Sequence, residues 1–347
     1  MTSLESTFHL ALKDTHAAAG ASLAKRHGWM LPAHYGDAER EYQALREQAA
    51  VADRSHHSRI MVTGTDAGEL LAATFAGHIT ELEEGRAMRA VWLDDRGRIG
   101  DLVLIARTGG IAYMVAGEPT RRMETLRRLE QAKVPDWDVR IDDRTESTCL
   151  LALAGPRGAE VVERFLSDAL PARLPTMAAA AFEFHGFRAL AMRASTTGDD
   201  GFEFMLAPAV AQHLLETLVP AGIQLAGDDA MEVARVESCI PAWEPDLEPG
   251  LTPAQADLDV LLDVPGGDQS MILAGAILEG DAVAPGTTVS VEGKAAGQVR
   301  SCVRSPGLKV TIALALLDAA RALPGTSLDA SGTAGTIVAK PFYRRRT

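Results

Sequence analysis

Apolar positions along the chain recur at two spacings, and each change of spacing marks a change of element. Residues 8–27 carry helix formers and few breakers and predict a helix, which Gly28-Trp29-Met30-Leu31-Pro32 ends in a turn. Residues 37–50 predict a second helix, with Asp37 as its N-cap. Ile60 to Gly64 reads as a short strand, and Asp66 then opens the helix DAGELLAATF. The apolar run Ala90-Val91-Trp92-Leu93 enters a polar turn, Asp94-Asp95-Arg96-Gly97, and Leu102-Val103-Leu104-Ile105 leaves it. Two such runs about a Gly-containing turn predict a hairpin. Ile111 to Val115 continues the sheet, and residues 119–132 read as an amphipathic helix with Pro119 in its first turn. This order suggests a small α+β unit with a mostly antiparallel sheet.

The second half repeats the mixture. Residues 149–154, CLLALA, read as a buried strand broken by Gly155-Pro156, with a helix over 157–168. Residues 181–206 read as three strands, the last two joined by the loop Ser195 to Gly201, rich in Gly, Thr and Asp. Such a loop at a hairpin tip suits polar ligand contacts. Residues 209–220 and 227–239 read as helices. From Pro241 to Pro265 the prolines at 241, 245, 249, 253 and 265 interrupt any period, which suggests a crossover between domains. The tail, residues 271–347, shows short apolar runs between Gly and Pro turns and reads as a small barrel or sandwich.

Composition narrows the class. The 347 residues exceed one ordinary core and predict two or three domains. With 47% hydrophobic and 23% charged residues the chain is globular in type. A formal charge of −13 argues against general nucleic-acid binding, which needs cations to neutralise phosphate. No apolar run reaches the roughly 18 residues of a membrane span, and MTSLESTFHL has no signal-peptide pattern. Cys149, Cys239 and Cys302 are scattered and form no CxxC pair, so a reducing, cytoplasmic setting fits.

Familiar chemical motifs are missing. No GxGxxG follows a strand, and GxxxxGK[ST], HExxH and GxSxG do not occur. His56-His57 would point to opposite faces of a strand, which favours structural roles over joint metal ligation, and no metal is expected. Asp199 and Asp200 read either as solvated turn residues or as ligand contacts. Arg235 and Glu237 diverge on a helix, so a core ion pair and a ligand contact are equally open. Asp101, where the hairpin turns inward, is by spacing a turn residue or a group aimed into a pocket.

Seven segments, in order, resemble the aminomethyltransferase family, the T-protein of glycine cleavage and its relatives. Gly28-Trp29-Met30-Leu31-Pro32 with His34-Tyr35-Gly36 is similar to its GW-x-x-P…YG element. Val51-Ala52-Asp53-Arg54-Ser55-His56 resembles V-x-D-x-S-H, and Gly97 to Leu102 resembles G-G-x-x-D-D-L. Leu153-Ala154-Gly155-Pro156 is similar to the Q-G-P strand end. Thr197 to Glu203 resembles T-G-E-x-G-[YF]-E. Arg235-Val236-Glu237 resembles R-L-E, and Lys340-Pro341-Phe342-Tyr343 resembles the C-terminal K-x-P-F.

The resemblance implies an α+β, three-domain cloverleaf that holds tetrahydrofolate, with a ferredoxin-like middle domain and a C-terminal β-barrel. The implied division is residues 1-52 plus 146-245, then 53-145 plus 246-270, then 271-347. It implies a catalytic carboxylate at Asp101 and a pterin-holding carboxylate at Asp199, which could accept two N–H bonds from the aminopyrimidine edge. Met88, Val103, Val115, Gly117, Arg235, Trp243 and Tyr343 fall at its other cofactor positions. The chemistry suits a carboxylate: moving a one-carbon unit on or off a folate nitrogen needs proton placement and stabilisation of a cationic iminium.

The departures matter as much. The turn before Asp101 is one residue short, and Gly100 replaces the first of two family aspartates. Gly117 stands where T-proteins usually carry Asn, Thr196 replaces an aromatic, and Asp199 is a methylene shorter than Glu. Ser238 to Leu247 lacks L-Y-G, and the F-I-G-x-E-A-L element is missing. A divergent tetrahydrofolate-dependent methyl or aminomethyl transferase, a demethylase of a small methylated donor, therefore leads over housekeeping glycine cleavage. A non-catalytic folate-binding protein of the iron–sulfur-assembly type resembles the tail at Gly297-Gln298-Val299-Arg300-Ser301, but the K-G-C-Y-x-G-Q-E cysteine is absent from Asp263 to Gln269. A degenerate scaffold without folate is the third reading. A lipoyl-carrier partner follows from the resemblance alone.

Overall fold

The computed structural model describes residues 7–166, 170–248 and 250–345; Pro249 and the end of the helix expected over 157–168 lie outside them. The chain groups into two compact units. The first is Met1–Ala90, Leu102–Ser195 and Asp199–Met231; the second is Val91–Asp101, Thr196–Gly198 and Glu232–Thr347.

The first unit opens with β1 (Phe8–His9), α1 (Lys13–Ala18), β2 (Ser22–Arg26) and β3 (Trp29–His34). β3 pairs in parallel with β1 and antiparallel with β2. The helix expected over 8–27 and the turn at 28–32 are thus corrected to a small sheet carrying one short helix. Helix propensity is a weak prior, and here packing overrides it. Leu10, Trp29 and Leu31 bury one another. Gly20 (φ +80°), His27 (φ +51°) and Gly28 (φ +78°) turn the chain back on itself.

α2 (Ala38–Glu47) starts where expected: Asp37 accepts the Arg40 N–H at 3.0 Å. β4 (Ala50–Asp53) and β5 (Ser58–Thr63) follow, then α3 (Ala67–Thr74), β6 (Ala87–Leu93), β7 (Ile99–Gly109), β8 (Ala112–Gly117), α4 (Arg122–Ala132) and β9 (Arg140–Asp143). The sheet order is β6-β7-β8-β5-β9, with antiparallel β7–β8, β8–β5 and β5–β9 pairs. Taken as β5-α3-β7-β8-α4-β9 this is the ferredoxin-like arrangement, with β6 added at one edge.

β10 (Cys149–Ala154), α5 (Gly158–Phe165), α6 (Leu170–Arg173), β11 (Ala179–Phe184), β12 (Phe187–Met192), β13 (Gly201–Leu206), α7 (Pro208–Leu218), β14 (Gln224–Leu225) and α8 (Asp228–Glu237) complete this half. Their sheet runs β11-β12-β13-β10-β4-β14. β10 is central and wholly buried, which is why CLLALA shows no alternation. One sheet face carries Leu151, Leu153, Phe202 and Phe204 against Val162, Leu214 and Leu218 of α5 and α7. The other carries Leu150, Ala179 and Met192 against Leu104, Ala106, Met114 and Ala116 of the five-stranded sheet. Gly155, at φ +131°, ends β10 where a Cβ would lie 2.6 Å from the Gln48 carbonyl oxygen.

In the second unit, a π-helical turn over Trp243–Leu247 and α9 (Asp259–Leu262) interrupt the proline-rich stretch. β15 (Met271–Leu278), β16 (Thr288–Val291), β17 (Lys294–Ser305), β18 (Val310–Asp318), β19 (Ser327–Ala330) and β20 (Thr333–Val338) close a barrel, which decides between barrel and sandwich. Ala313, Ala315 and Leu317 of β18 fill its inside. Ile312 and Leu314, on the alternate face, pack on Val236 and Leu273. Both faces of β18 are buried, so its residues 312–317 are apolar without a break.

Candidate active site

The hairpin tip separates the two roles left open for Asp101. The turn is made by other groups: Asp94 N–H donates to the Arg98 carbonyl at 2.9 Å, and the Asp94 carboxylate accepts the Arg96 and Arg98 N–H groups and the Arg98 guanidinium. Asp101 lies inside β7 and is 0% exposed. It is a buried strand residue, not a turn residue. The tip is fixed within the second unit by the Ile99 N–H on the Leu251 carbonyl, 2.7 Å. Beside it, a Cβ on Gly100 would lie 1.9 Å from the Trp92 ring. The glycine that departs from the family pattern is therefore the residue the buried Trp92 indole requires.

Asp199 and Asp200 are corrected from the solvated alternative. They are 7% and 8% exposed, each beside an arginine. Asp199 Oδ2 takes Arg46 Nη1 at 2.7 Å from the last turn of α2. Asp200 takes Arg193 through both oxygens, at 2.9 and 2.5 Å, and also accepts the Gly201 N–H. In the second unit Ser238 Oγ donates to the Thr197 carbonyl at 2.6 Å, and its closeness leaves no room for a Cβ on Gly198. Arg46, Arg193 and Ser238 were not singled out in the sequence. Only their distant partners give them a role.

Met88, Val103, Val115 and Gly117 belong to the first unit with Asp199; Asp101, Arg235, Trp243 and Tyr343 belong to the second. Strand alternation sets the first four on one face of the five-stranded sheet. Their neighbours Ala87, Leu104 and Ala116 face the six-stranded sheet instead. Trp243 is buried in the first residue of the π-helical turn. Tyr343 is half-buried, its N–H on the Glu237 carbonyl at 2.9 Å.

Arg235 is committed to the protein. Nε and Nη2 donate to Glu232, Nη1 to the Ile240 carbonyl and Asp246, and Nη2 also to Ser301. All five N–H groups of the guanidinium thus have protein acceptors. Burial works against its charge, but Glu232 and Asp246 outweigh burial and hold its pKa above the ordinary range. The core ion pair is the role the geometry gives it.

His56 and His57 are not on a strand, as their spacing suggested, but in the turn between β4 and β5. Their rings lie 4.4 Å apart. Burial, then the neighbouring Arg54 charge, lowers both well below the ordinary 6.5. The turn is anchored by Asp53, which accepts the Ser55 N–H at 2.8 Å and contacts His16 Nε2 at 2.8 Å; His16 Nδ1 meets the Tyr35 hydroxyl at 2.8 Å. Among the described residues no group of three or more His, Cys, Asp or Glu is placed to hold a metal. No helix among them is long and apolar enough to cross a membrane.

Comparison with known proteins agrees with this architecture. The profile of the GCVT N-terminal domain matches residues 12–265, and that of the glycine cleavage T-protein C-terminal barrel domain matches residues 273–344. The aminomethyltransferase of Streptomyces avermitilis is 31% identical over 97% of this chain and 98% of its own length. That of Thermus thermophilus is 29% identical over 88% and 90%. The crystal structure of glycine cleavage system aminomethyltransferase T from Bartonella henselae superposes with a TM-score of 0.86 at 23% identity, covering 97% of this chain and 98% of that one. The chain belongs to the glycine-cleavage T-protein family, the aminomethyltransferases, which are folate-dependent transferases.

Proposed function

We propose that the chain is a tetrahydrofolate-dependent one-carbon transferase that demethylates a small methylated donor rather than serving housekeeping glycine cleavage. The observation that carries the reading is Asp101: a carboxylate 0% exposed, inside a strand, at the position where the family pattern has its catalytic acid. A carboxylate is costly to bury, and low dielectric strengthens its field on a reacting cation or proton. Asp101 would place the proton and stabilise positive charge on the donor. The residues present fit the cofactor. Asp199 is a buried carboxylate, and a carboxylate's two oxygens offer about four lone-pair sites. It would accept N–H bonds from the aminopyrimidine edge, while Met88, Val103 and Val115 supply apolar surface. When bound, tetrahydrofolate would supply the nitrogen that takes up the one-carbon unit. The displacement of the family's first aspartate by the Trp92–Gly100 packing, and Gly117 in place of Asn, favour a changed donor.

Calorimetry with tetrahydrofolate tests the cofactor, with dissociation expected on the order of micromolar; a flat titration to millimolar refutes it. A screen of N-, O- and S-methyl compounds for methyl-tetrahydrofolate then tests the demethylase reading. Turnover of an aminomethyl-loaded lipoyl carrier, with none of the methyl compounds active, would return the chain to glycine cleavage.

A further inference from the structure

Two half-buried arginines outside any ion pair, Arg54 and Arg89, stand out among the described residues of the first unit. Alternation along β13 turns Phe202 and Phe204 into the core against α5 and α7 and so turns Glu203 toward the five-stranded sheet. Alternation along β6, where Ala87 faces the same layer, turns Arg89 into it from the other side. Arg54, in the turn after β4, approaches it as well. The layer between the sheets is apolar along Leu104, Leu150 and Met192 but ends in these three charged groups.

Their contacts are unusually few. Arg54 Nη2 lies 2.6 Å from His57 Nε2, and Arg54 Nε is buried with no hydrogen-bond partner. Arg89 donates through Nη2 to the Ser195 carbonyl at 3.1 Å. Among the described residues neither arginine is in an ion pair, and the Glu203 carboxylate accepts no hydrogen bond. Yet they feel one another: burial pushes the Glu203 carboxyl up, and Arg54, Arg89 and Arg59 pull it back. Burial likewise lowers Arg89, against Glu203 and Glu118. Arg59 donates to the Ser55, His57 and Thr148 carbonyls, so it closes the turn rather than facing a ligand.

Buried guanidinium groups normally find acceptors, because each unmet N–H costs desolvation. Here most donors of Arg54 and Arg89 meet no protein acceptor among the described residues, while Arg54, His57, Arg89 and Glu203 keep some accessible surface. Two forked sets of unmet donors match a flat oxyanion. His57 also bonds the Gly117 backbone, which joins the cluster to a strand end that the family pattern assigns to the cofactor.

We propose that Arg54 and Arg89 form a carboxylate-binding subsite for the one-carbon donor, so that the donor is a small carboxylic acid carrying the transferable methyl group. This rests on the transferase reading above. Because tetrahydrofolate also ends in a carboxylate, the test separates the two sources. Binding of methoxyacetate, methylthioacetate and N-methylglycine, each against its carboxamide, is measured by ligand-observed NMR on the full chain with and without tetrahydrofolate. At least one carboxylate binds roughly 10–100-fold tighter than its amide, the range of a charge-assisted bond. Arg54→Gln and Arg89→Gln abolish that preference, and Arg54→Lys and Arg89→Lys, which keep the charge and guard against misfolding, retain part of it. Equal binding of acid and amide, or glutamine variants that keep the preference, overturns the proposal. Glutamine variants that weaken tetrahydrofolate but not a tetrahydropterin lacking the glutamate, with donor binding unchanged, assign the subsite to the cofactor tail and overturn the donor role. Carboxylate binding in a wild-type chain that takes up no tetrahydrofolate overturns the transferase reading instead, and with it the donor role.

Discussion

Replacing Asp246 by alanine removes a fully buried carboxylate that accepts Arg235 Nη1 at 2.6 Å, Ser301 Oγ at 2.6 Å and the Ala242 N–H at 3.0 Å. These bonds tie α8, the π-helical turn and barrel strand β17 together within the second unit. Breaking a buried pair by removing one partner costs about 3–5 kcal/mol, because the other charge stays buried. Glu232 still neutralises Arg235, but its side chain is 36% exposed and so partly screened. The lower end, about 3 kcal/mol, is therefore expected, which for a chain of 347 residues lowers the melting temperature by roughly 4 °C. Differential scanning calorimetry reads it. The double variant Arg235→Met/Asp246→Leu removes both charges, and its loss should be smaller than that of Asp246→Ala, since apolar groups of similar volume often replace a buried pair at little cost. A single variant within about 1 kcal/mol of the parent, or a double variant whose losses simply add, would refute the claim that Arg235 is held by this network.

Asp101→Asn should lower turnover by roughly 10²–10⁴ while tetrahydrofolate affinity holds; unchanged steady-state rates would remove Asp101 from the chemistry. Asp199→Ala should weaken tetrahydrofolate by about 1–3 kcal/mol, the cost of unpaired donors, and a calorimetric affinity equal to the parent's would limit Asp199 to its Arg46 pair. Gly100→Asp, which restores the family residue, should destabilise the fold because its Cβ meets the Trp92 ring, and Trp92→Ala should relieve it. Denaturant melts in which Gly100→Asp matches the parent would contradict the packing. His56 and His57 are held below 6.5 by burial and by Arg54, so they stay neutral in the fold and take up protons on unfolding. Their contribution is complete above the unfolded value and is lost as pH falls below about 6.5, with a slope up to about 1.4 kcal/mol per pH unit for each ring. A melting temperature that is flat from pH 7.5 to 5.5 would contradict it.

Where local signals and packing agreed, the elements were legible from residues alone. Asp37 as an N-cap marked α2, the helical reading of residues 209–220 marked α7, and the hairpin residues about Gly97 marked β6 and β7. The order of seven short motifs carried the family, since motif order survives substitutions that blur each motif. What sequence could not supply was the partner of each polar group. Asp199 and Asp200 look solvated until Arg46, 153 residues away, and Arg193 are brought beside them. Residues 8–27 have helical propensity, yet only a buried cluster with Trp29 and Leu31 makes strands of their ends. Asp101 in a strand rather than a turn, Gly100 under an indole, and two arginines outside any ion pair are all decided by distant contacts. Propensity and pattern act over a few residues, whereas burial and charge pairing depend on which segments meet in space. The elements and the family were therefore written along the chain, and the chemistry of the site was decided by the fold.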